Sequence, residues 1–128
     1  MATVLIVDDE QPVVDLVRFT LEDDQVRVVE ALDGIQALDV ARAEIPDLIF
    51  LDVQMPCLDG FEVCRRLRRE PGLERTRIVM LTAASQEADR AQGQAAGADE
   101  YLTKPFSPLK LLSLVQTLLP GVVLWPVR

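Results

Sequence analysis

Five short extended stretches alternate along the chain with longer stretches of helical spacing. The extended stretches, rich in apolar and β-branched residues, cover residues 3–7, 26–31, 48–51, 78–81 and 99–103. Between them, apolar side chains recur every three or four residues, as they do on one face of a helix. Strands that alternate with helices in this way form βαβ units around a parallel sheet. The pattern therefore predicts an α/β fold with five strands and five helices.

The helices are expected at residues 11–22, 33–43, 59–69, 86–96 and 107–119. Their ends carry local signals. Asp33 and Ser107 are suitable N-cap residues, because their side-chain oxygens can accept hydrogen bonds from the first turn. Pro12 and Pro108 fit the first turn, where no backbone N–H is needed.

Two of these helices have distinctive apolar faces. In the second, Ile35 and Leu38 are expected to face inward, together with Ala41 or Ala43. The inward positions of the fourth are almost all alanine, and Gly93 lies inside it at a cost of about 1 kcal/mol against alanine. Since little apolar area holds this fourth helix in place, we predict that it is loosely attached.

Polar side chains stand where several of the predicted strands end. Asp8 and Asp9 follow the first strand, Asp52 the third, Thr82 the fourth and Lys104 the fifth. In open α/β sheets, ligands bind in the crevice at the carboxyl ends of the strands. We therefore expect three carboxylates, a hydroxyl and an ammonium group to converge there.

Composition narrows the possible functions. The net charge is -8 and the pI about 4.5, which argues against direct nucleic-acid binding. The chain has no histidine, which excludes Ser-His and Cys-His catalysis and a phosphohistidine carrier within it. Cys57 and Cys64 lack the spacing of a zinc site and are expected to be free thiols in a reducing cytosol. No signal peptide is visible.

The stretch 109–127 is apolar, but Gln116 and the break at residues 120–121 argue against a membrane-spanning helix. We expect a cytoplasmic protein without membrane contact.

The polar strand ends belong to five longer motifs: Val-Asp-Asp-Glu at 7–10, Leu-Asp-Val-Gln-Met-Pro at 51–56, Asp-Gly at 59–60, Leu-Thr-Ala at 81–83, and Gly-Ala-Asp-Glu-Tyr-Leu-Thr-Lys-Pro-Phe at 97–106. In this order they resemble the response-regulator receiver domain of two-component signalling, over about residues 3–119. The resemblance implies a doubly wound, flavodoxin-like sheet with strand order 2-1-3-4-5. It also implies a receiver domain at residues 1–119 followed by an apolar tail, 120–128. Whether that tail docks on the body, binds a partner or begins a longer region stays open.

The resemblance also assigns roles around the predicted crevice. It implies that Asp52 is the nucleophile and accepts a phosphoryl group as an acyl phosphate. Asp9, Asp52 and the main-chain carbonyl of Gln54 would bind Mg²⁺ directly, and Asp8 through water. The chemistry agrees, since clustered carboxylates repel one another and oxygen ligands favour Mg²⁺. For Asp8 and Asp9 alone, capping of the next helix is an equal alternative.

Three further roles follow from the resemblance. Thr82 would donate a hydrogen bond to a phosphoryl oxygen and Lys104 would place a positive charge beside another. Lys104 precedes Pro105 through a bond that is usually cis in receivers. Tyr101 would be the switch residue, turning inward when phosphorylation draws Thr82 toward the phosphate. Its alternative is a half-buried strand tyrosine with a solvated hydroxyl.

Two positions depart from common receiver patterns. Ala84 cannot orient an attacking water, and Gln54 is the only nearby amide able to help. We therefore predict slow self-dephosphorylation, and expect the Ala84→Glu substitution to change it.

The chain is thus expected to be a phosphoacceptor switch with self-catalysed phosphotransfer, not a turnover enzyme. Its partners would be a histidine kinase or phosphotransfer protein and an unknown downstream target, and a homodimer through the fourth and fifth helices is compatible with the family. Because no output domain follows the fifth helix, this chain is not expected to bind DNA itself. The alternatives are a non-phosphorylated binding scaffold and a hydrolase of the haloacid dehalogenase type. The second is disfavoured because Asp8-Asp9-Glu10 is not an Asp-x-Asp motif.

Four arginines lie close together near the end of the third predicted helix: Arg65, Arg66, Arg68 and Arg69. In an acidic protein such a cluster is more often a solvated helix face than a docking patch. We therefore expect these side chains to be solvated.

Overall fold

A computed structural model describes residues 1–55, 58–83 and 87–122, without the side chains of 87–89. The strands are β1 Ala2–Val7, β2 Val26–Ala31, β3 Leu48–Asp52, β4 Arg77–Thr82 and β5 Glu100–Thr103. The helices are α1 Gln11–Leu21, α2 Gly34–Glu44, α3 Gly60–Arg69, α4 Glu87–Ala96 and α5 Pro108–Leu118. All strand pairs are parallel and the order is β2-β1-β3-β4-β5. The expected fold and strand order are confirmed.

Helices cover both faces of the sheet. One apolar cluster joins the sheet to α2, α3 and the end of α4, and the other joins it to α1 and α5. The three central strands are buried on both faces, as parallel strands covered on both sides must be. β2 lies at one edge and alternates between buried and exposed residues. The core therefore holds the carboxyl ends of β1, β3 and β4 side by side.

One residue of α2, Ile35, was wrongly predicted to face inward. Ile35 is 59% exposed, whereas Leu38 and Ala41 are buried. The buried positions are spaced three and four residues apart from Gly34 onward, so that Ile35 lies about 100° around the helix from the inward stripe. A Cβ on Gly34 would lie 2.6 Å from Cγ2 of Val63. Glycine thus lets α2 approach α3 closely. The close contact at Gly34 determines which residues of α2 face inward.

The predicted helix starts agree with the structure at three caps. The side chains of Asp33, Asp59 and Ser107 each accept a hydrogen bond from a backbone N–H in the first turn of α2, α3 and α5. In the described part of the chain, no helix has both the length and the apolar character needed to cross a membrane. Of the apolar tail, residues 123–128 lie outside the described residues, as do Ala84 and Cys57.

Candidate functional site

The parallel register places the predicted acidic residues next to one another. Val7 is the partner of Leu51, so Asp8 and Asp52 occupy corresponding positions at the ends of β1 and β3. Asp8 is fully buried and Asp52 is 6% exposed, whereas Asp9 is exposed. One carboxylate oxygen from each of these aspartates, and one from Glu10, lie within 4.8 Å of one another. The structure therefore brings together the three predicted carboxylates and one that the sequence analysis gave no role.

Helix capping does not explain Asp8 and Asp9. The N-cap of α1 is Glu10, and its side chain makes no capping hydrogen bond. Asp8 Oδ1 accepts a hydrogen bond from the backbone N–H of Glu10 at 2.9 Å, which fixes the turn between β1 and α1. The turn uses only Oδ1, and the second oxygen, Asp8 Oδ2, lies 2.8 Å from Nζ of Lys104.

Lys104 enters the acidic cluster from β5. Its Nζ lies 2.8 Å from Asp8 Oδ2, 3.0 Å from Glu10 Oε1 and 3.5 Å from Asp52 Oδ2. The backbone N–H of Lys104 donates to the carbonyl of Thr82 at 2.7 Å, which ties the residue to the end of β4. The peptide bond that follows, to Pro105, is cis. Lys104 is thus the single cation that the structure places against these carboxylates, within the described residues.

Burial and charge shift the titration of both partners. Burial, with the nearby charge of Asp8, raises the pKa of Asp52 to about 6, although Lys104 and the backbone N–H of Gln54 act in the opposite direction. Burial also disfavours the charged form of Lys104, but close contact with Asp8 and Glu10 outweighs it and raises the pKa of the ammonium group. Lys104 therefore stays charged at neutral pH, whereas ionisation of Asp52 is less favourable than ionisation of a solvent-exposed aspartate.

The cluster has the donor atoms of a site for a hard divalent cation. Every side-chain donor is a carboxylate oxygen, the ligand that Mg²⁺ prefers. Asp8 Oδ2 is buried 2.8 Å from Nζ of Lys104 and accepts no well-aligned hydrogen bond from the residues that the structure describes. A buried carboxylate oxygen in this condition can accept from water on a cation. The residues present therefore fit a Mg²⁺ ion.

Asp9, Asp52 and Lys104 line a cleft of about 660 Å³ at this end of the sheet, and of the remaining predicted site residues Gln54 lines it too. Gln54 is exposed, so its amide is open to solvent. Thr82 is 6% exposed at the end of β4, one residue beyond Leu81, the register partner of Asp52. Ala84, predicted to influence phosphate loss, cannot be placed because it lies outside the described residues.

Tyr101 is more buried than the half-buried strand tyrosine considered as the alternative to a switch residue. The ring is 9% exposed and belongs to the cluster between the sheet and α2, α3 and α4. Its hydroxyl donates to the carbonyl of Arg90 in α4. Because the hydroxyl has a protein partner, the half-buried residue with a solvated hydroxyl is not what the structure contains. The inward position is therefore occupied, and the switching role stays a prediction.

Gly60 keeps the loop after β3 close to the site. Its N–H donates to the carbonyl of Val53 at 2.9 Å, and a Cβ there would overlap the carbonyl oxygen of Asp52 and lie 2.8 Å from Cα of Val53. These neighbours are backbone atoms that cannot rotate away. Gly60→Ala is expected to lower the free energy of unfolding by about 2 kcal/mol, measured by urea denaturation. Gly121→Ala is the control, since its Cβ would meet no atom of the described residues within 4 Å, and equal losses in both variants would contradict the explanation.

Known proteins resemble this chain throughout the region that forms the site. A family model described as the response regulator receiver domain matches residues 4–116. The alkaline phosphatase synthesis transcriptional regulatory protein PhoP of Bacillus subtilis (strain 168) is 46% identical over 116 residues, which cover 91% of this chain and 48% of that protein. The DNA-binding dual master transcriptional regulator RpaA of Synechocystis sp. is 44% identical over 119 residues, 93% of this chain and 49% of that protein. This chain thus spans about half the length of these curated relatives.

Solved structures agree with the sequence relatives. The chemotaxis response regulator CheY4 of Vibrio cholerae superposes with a TM-score of 0.87 at 39% identity, covering 93% of this chain and 99% of that one. The similarity thus concerns the amino-acid sequence as well as the fold, and it covers most of both chains.

Proposed function

The chain belongs to the response-regulator receiver family, and on that premise we propose that it is a Mg²⁺-dependent phosphoacceptor switch, phosphorylated on Asp52 by a partner histidine kinase. One observation carries the proposal. A buried aspartate with a raised pKa stands 3.5 Å from the Nζ of Lys104, beside a second buried aspartate. A carboxylate and a fixed cation at this spacing suit a nucleophile and a charge that stabilises the group it receives.

In the proposed reaction, an oxygen of Asp52 attacks the phosphorus of a phosphohistidine on the partner. The new P–O bond forms the acyl phosphate while the P–N bond breaks, and the departing imidazole nitrogen takes up a proton. Lys104 offsets the negative charge of the arriving phosphoryl group, and the Thr82 hydroxyl donates to one of its oxygens. Mg²⁺, held by Asp9, Asp52 and the Gln54 carbonyl and by Asp8 through water, would supply further charge neutralisation. This chain's own residues would therefore contribute both alignment of the reacting groups and stabilisation of the phosphoryl charge.

Intact mass spectrometry tests the proposal. The protein is incubated with acetyl phosphate and Mg²⁺, and a gain of one phosphoryl group is expected, with no gain when EDTA replaces Mg²⁺. Borohydride reduction followed by peptide mapping should place the modification at residue 52. A well-folded protein that gains no mass under these conditions would instead support the non-phosphorylated scaffold.

Removal of the cation is expected to lower stability as well. Mg²⁺ binds the folded site and lessens carboxylate repulsion, so that at ten times its Kd it should raise the free energy of unfolding by about 1.4 kcal/mol. Urea denaturation with and without Mg²⁺ measures this, with NaCl matched for ionic strength as the control. Equal stabilisation by Mg²⁺ and NaCl would speak for screening alone and against a specific site.

The proposal extends to the surroundings of the domain. A cytoplasmic location, a downstream protein that responds to the phosphorylated form, slow self-dephosphorylation and a homodimer through α4 and α5 all follow from the family and stay predictions. Leu109, at the start of α5, is 75% exposed and is one apolar residue available to such a contact. Direct DNA binding is not proposed for this chain, given its net charge of -8.

A further inference from the structure

The buried ring of Tyr101 packs against a helix that has little side-chain bulk at the point of contact. Of residues 90–96 in α4, only Gly93 and Ala96 are buried. The hydroxyl of Tyr101 reaches the Arg90 carbonyl, and the Arg90 guanidinium lies 5.0 Å from the centre of the ring. The ring therefore contacts the helix backbone itself, one turn before the end of α4.

The space for this contact exists because residue 93 has no side chain. A Cβ built on Gly93 would overlap the Tyr101 hydroxyl oxygen and lie 2.7 Å from Cζ and 3.1 Å from Cε1 of the ring. The overlapped atoms belong to a rigid aromatic group whose hydroxyl is already held by α4. Only movement of the whole ring, or of the helix, relieves an overlap of this size.

Helix propensity offers no reason for a glycine at this position. Glycine is among the poorest residues inside a helix, and alanine is the best. Gly93 also has no positive φ, in contrast to Gly97 at the end of the same helix, so the backbone does not require it. The remaining structural reason is the close approach of Tyr101.

We propose that Gly93 is a positioning residue for Tyr101: the absence of a side chain at position 93 is what admits the ring to its inward position against α4. The regulatory meaning of this contact rests on the proposed function. If the signalling form requires Tyr101 in this inward position, then Gly93 determines whether phosphorylation of Asp52 can produce a response. Any larger residue at position 93 would separate phosphorylation from the response.

The single tyrosine of the chain makes the position of the ring measurable. Incorporation of 3-fluorotyrosine gives one ¹⁹F resonance, and a soluble gadolinium chelate relaxes it in proportion to its exposure. In Gly93→Ala we expect a changed chemical shift and a several-fold larger relaxation effect than in the parent protein. Gly121→Ala makes the same chemical change where, among residues 1–55, 58–83 and 87–122, no atom lies within 4 Å, and it should leave the signal unchanged.

Phosphorylation separates this inference from the proposed function. Gly93→Ala leaves the acidic cluster intact, so its mass gain with acetyl phosphate and Mg²⁺ should match that of the parent protein, and its fluorine signal should stay exposed after phosphorylation. A ring that remains buried in Gly93→Ala, before or after phosphorylation, overturns the role of Gly93. A failure of the parent protein to gain mass overturns the proposed function instead, while the fluorine comparison still decides the position of the ring.

General destabilisation is distinguished by a second pair of variants. In a Tyr101→Ala background the overlap disappears, so Gly93→Ala should raise the melting temperature through helix propensity. With Tyr101 present, the same substitution should raise it less or lower it. An equal change in both backgrounds would show that the two residues are not coupled, which contradicts the proposal.

Discussion

Asp52→Asn is expected to abolish phosphoryl uptake and, in the absence of Mg²⁺, to make the folded protein more stable at neutral pH. The first effect follows because the amide oxygen cannot form the acyl phosphate. The second follows from the raised pKa of Asp52, about 6 against an ordinary value of 3.8. The buried carboxylate is costly when ionised, and an amide of the same shape can still accept the 3.1 Å hydrogen bond from the backbone N–H of Gln54.

The sign of the pH dependence follows from the raised pKa. The folded protein binds the Asp52 proton more tightly than the unfolded chain, so protonation favours folding. This contribution is fully present below about pH 4 and is lost as the pH rises through about 6. Above pH 7 the parent protein lacks it entirely, whereas the asparagine variant has no charge to bury. A shift of about two pKa units corresponds to about 3 kcal/mol, a net value that already includes the attraction of Lys104. The expected gain is smaller, because Asp52 keeps some contact with solvent.

Urea denaturation in EDTA at about pH 7.5 and about pH 4 measures the stability difference between variant and parent. We expect the stabilisation by Asp52→Asn to reach about 2 kcal/mol at the higher pH and to disappear at the lower one. Asp39→Asn, at an exposed carboxylate on α2 that lies 3.4 Å from Arg42, should change stability by less than about 0.5 kcal/mol. A pH-independent gain, or a loss at pH 7.5, would mean that the ionised carboxylate is adequately compensated in the folded state.

Much of the fold followed from local patterns. The strands bury most of their residues and are short, so apolar runs marked them well, and the caps at Asp33 and Ser107 acted through neighbours three residues away. The strand order came from the resemblance and not from the pattern, because periodicity carries no information about which strands are adjacent. With that order known, the convergence of Asp8, Asp52 and Lys104 follows from parallel strands that end at one edge.

Three features were missed because they depend on contacts between distant parts of the chain. Glu10 directly precedes α1 and is exposed, and its role becomes visible only when Lys104 is placed 3.0 Å away, 94 residues later. Its position in the Val-Asp-Asp-Glu motif was the one available signal. Ile35 was misplaced because an apolar residue at the start of a helix does not show which face is inward. Gly93 was correctly identified as unusual, but the ring that it accommodates comes from β5.

The four arginines of α3 show most clearly that contacts between distant parts of the chain cannot be predicted from local spacing. Arg65 and Arg66 pair with Glu62 on their own helix, at 3.0 and 2.9 Å, and Arg69 is exposed, in keeping with a solvated face. For Arg68 the prediction was wrong. Its side chain donates hydrogen bonds to Gly97 and Asp99, about 30 residues later in the chain. Spacing along α3 could not distinguish it from its neighbours, because the groups it binds, main-chain carbonyls and the Asp99 carboxylate, lie outside that helix.

Arg68 joins α3 to three other elements, at the amino ends of the strands, opposite the acidic cluster. Its Nε donates to the carbonyl of Gly97 at 2.8 Å, where α4 ends, and its Nη1 donates to the carbonyl of Thr76 at 2.6 Å, just before β4. Its Nη2 lies 2.6 Å from Asp99 Oδ2, which also accepts the backbone N–H of Ile78 at 2.8 Å. The guanidinium group thus connects α3 to the end of α4 and to the starts of β4 and β5.

Arg68→Ala is expected to lower the free energy of unfolding by about 3 kcal/mol. Hydrogen bonds from a charged donor contribute about 1.5–3 kcal/mol each. In Arg68→Ala, the partly buried carbonyls and the Asp99 carboxylate lose the guanidinium group as their hydrogen-bond donor, which adds to the cost. Arg68→Lys should recover only part of the loss, because a single ammonium group cannot reproduce the planar fork that serves several acceptors. Urea denaturation measures both variants, and Arg69→Ala, at an exposed position on the same helix, is the control.

The location of Arg68 makes a second outcome specific. The acidic cluster lies at the carboxyl ends of the strands and Arg68 at their amino ends, so the fraction of Arg68→Ala that stays folded should still gain one phosphoryl group with acetyl phosphate and Mg²⁺. The attachment of α4, however, should weaken at its C-terminal end, since Gly97 loses the guanidinium donor. Amide hydrogen exchange should therefore speed up in α4 more than in α1 or α2. A stability loss below about 1 kcal/mol, or amide exchange that speeds up equally in all helices, would contradict this role. Either result would support the original prediction that the Arg68 side chain is solvated.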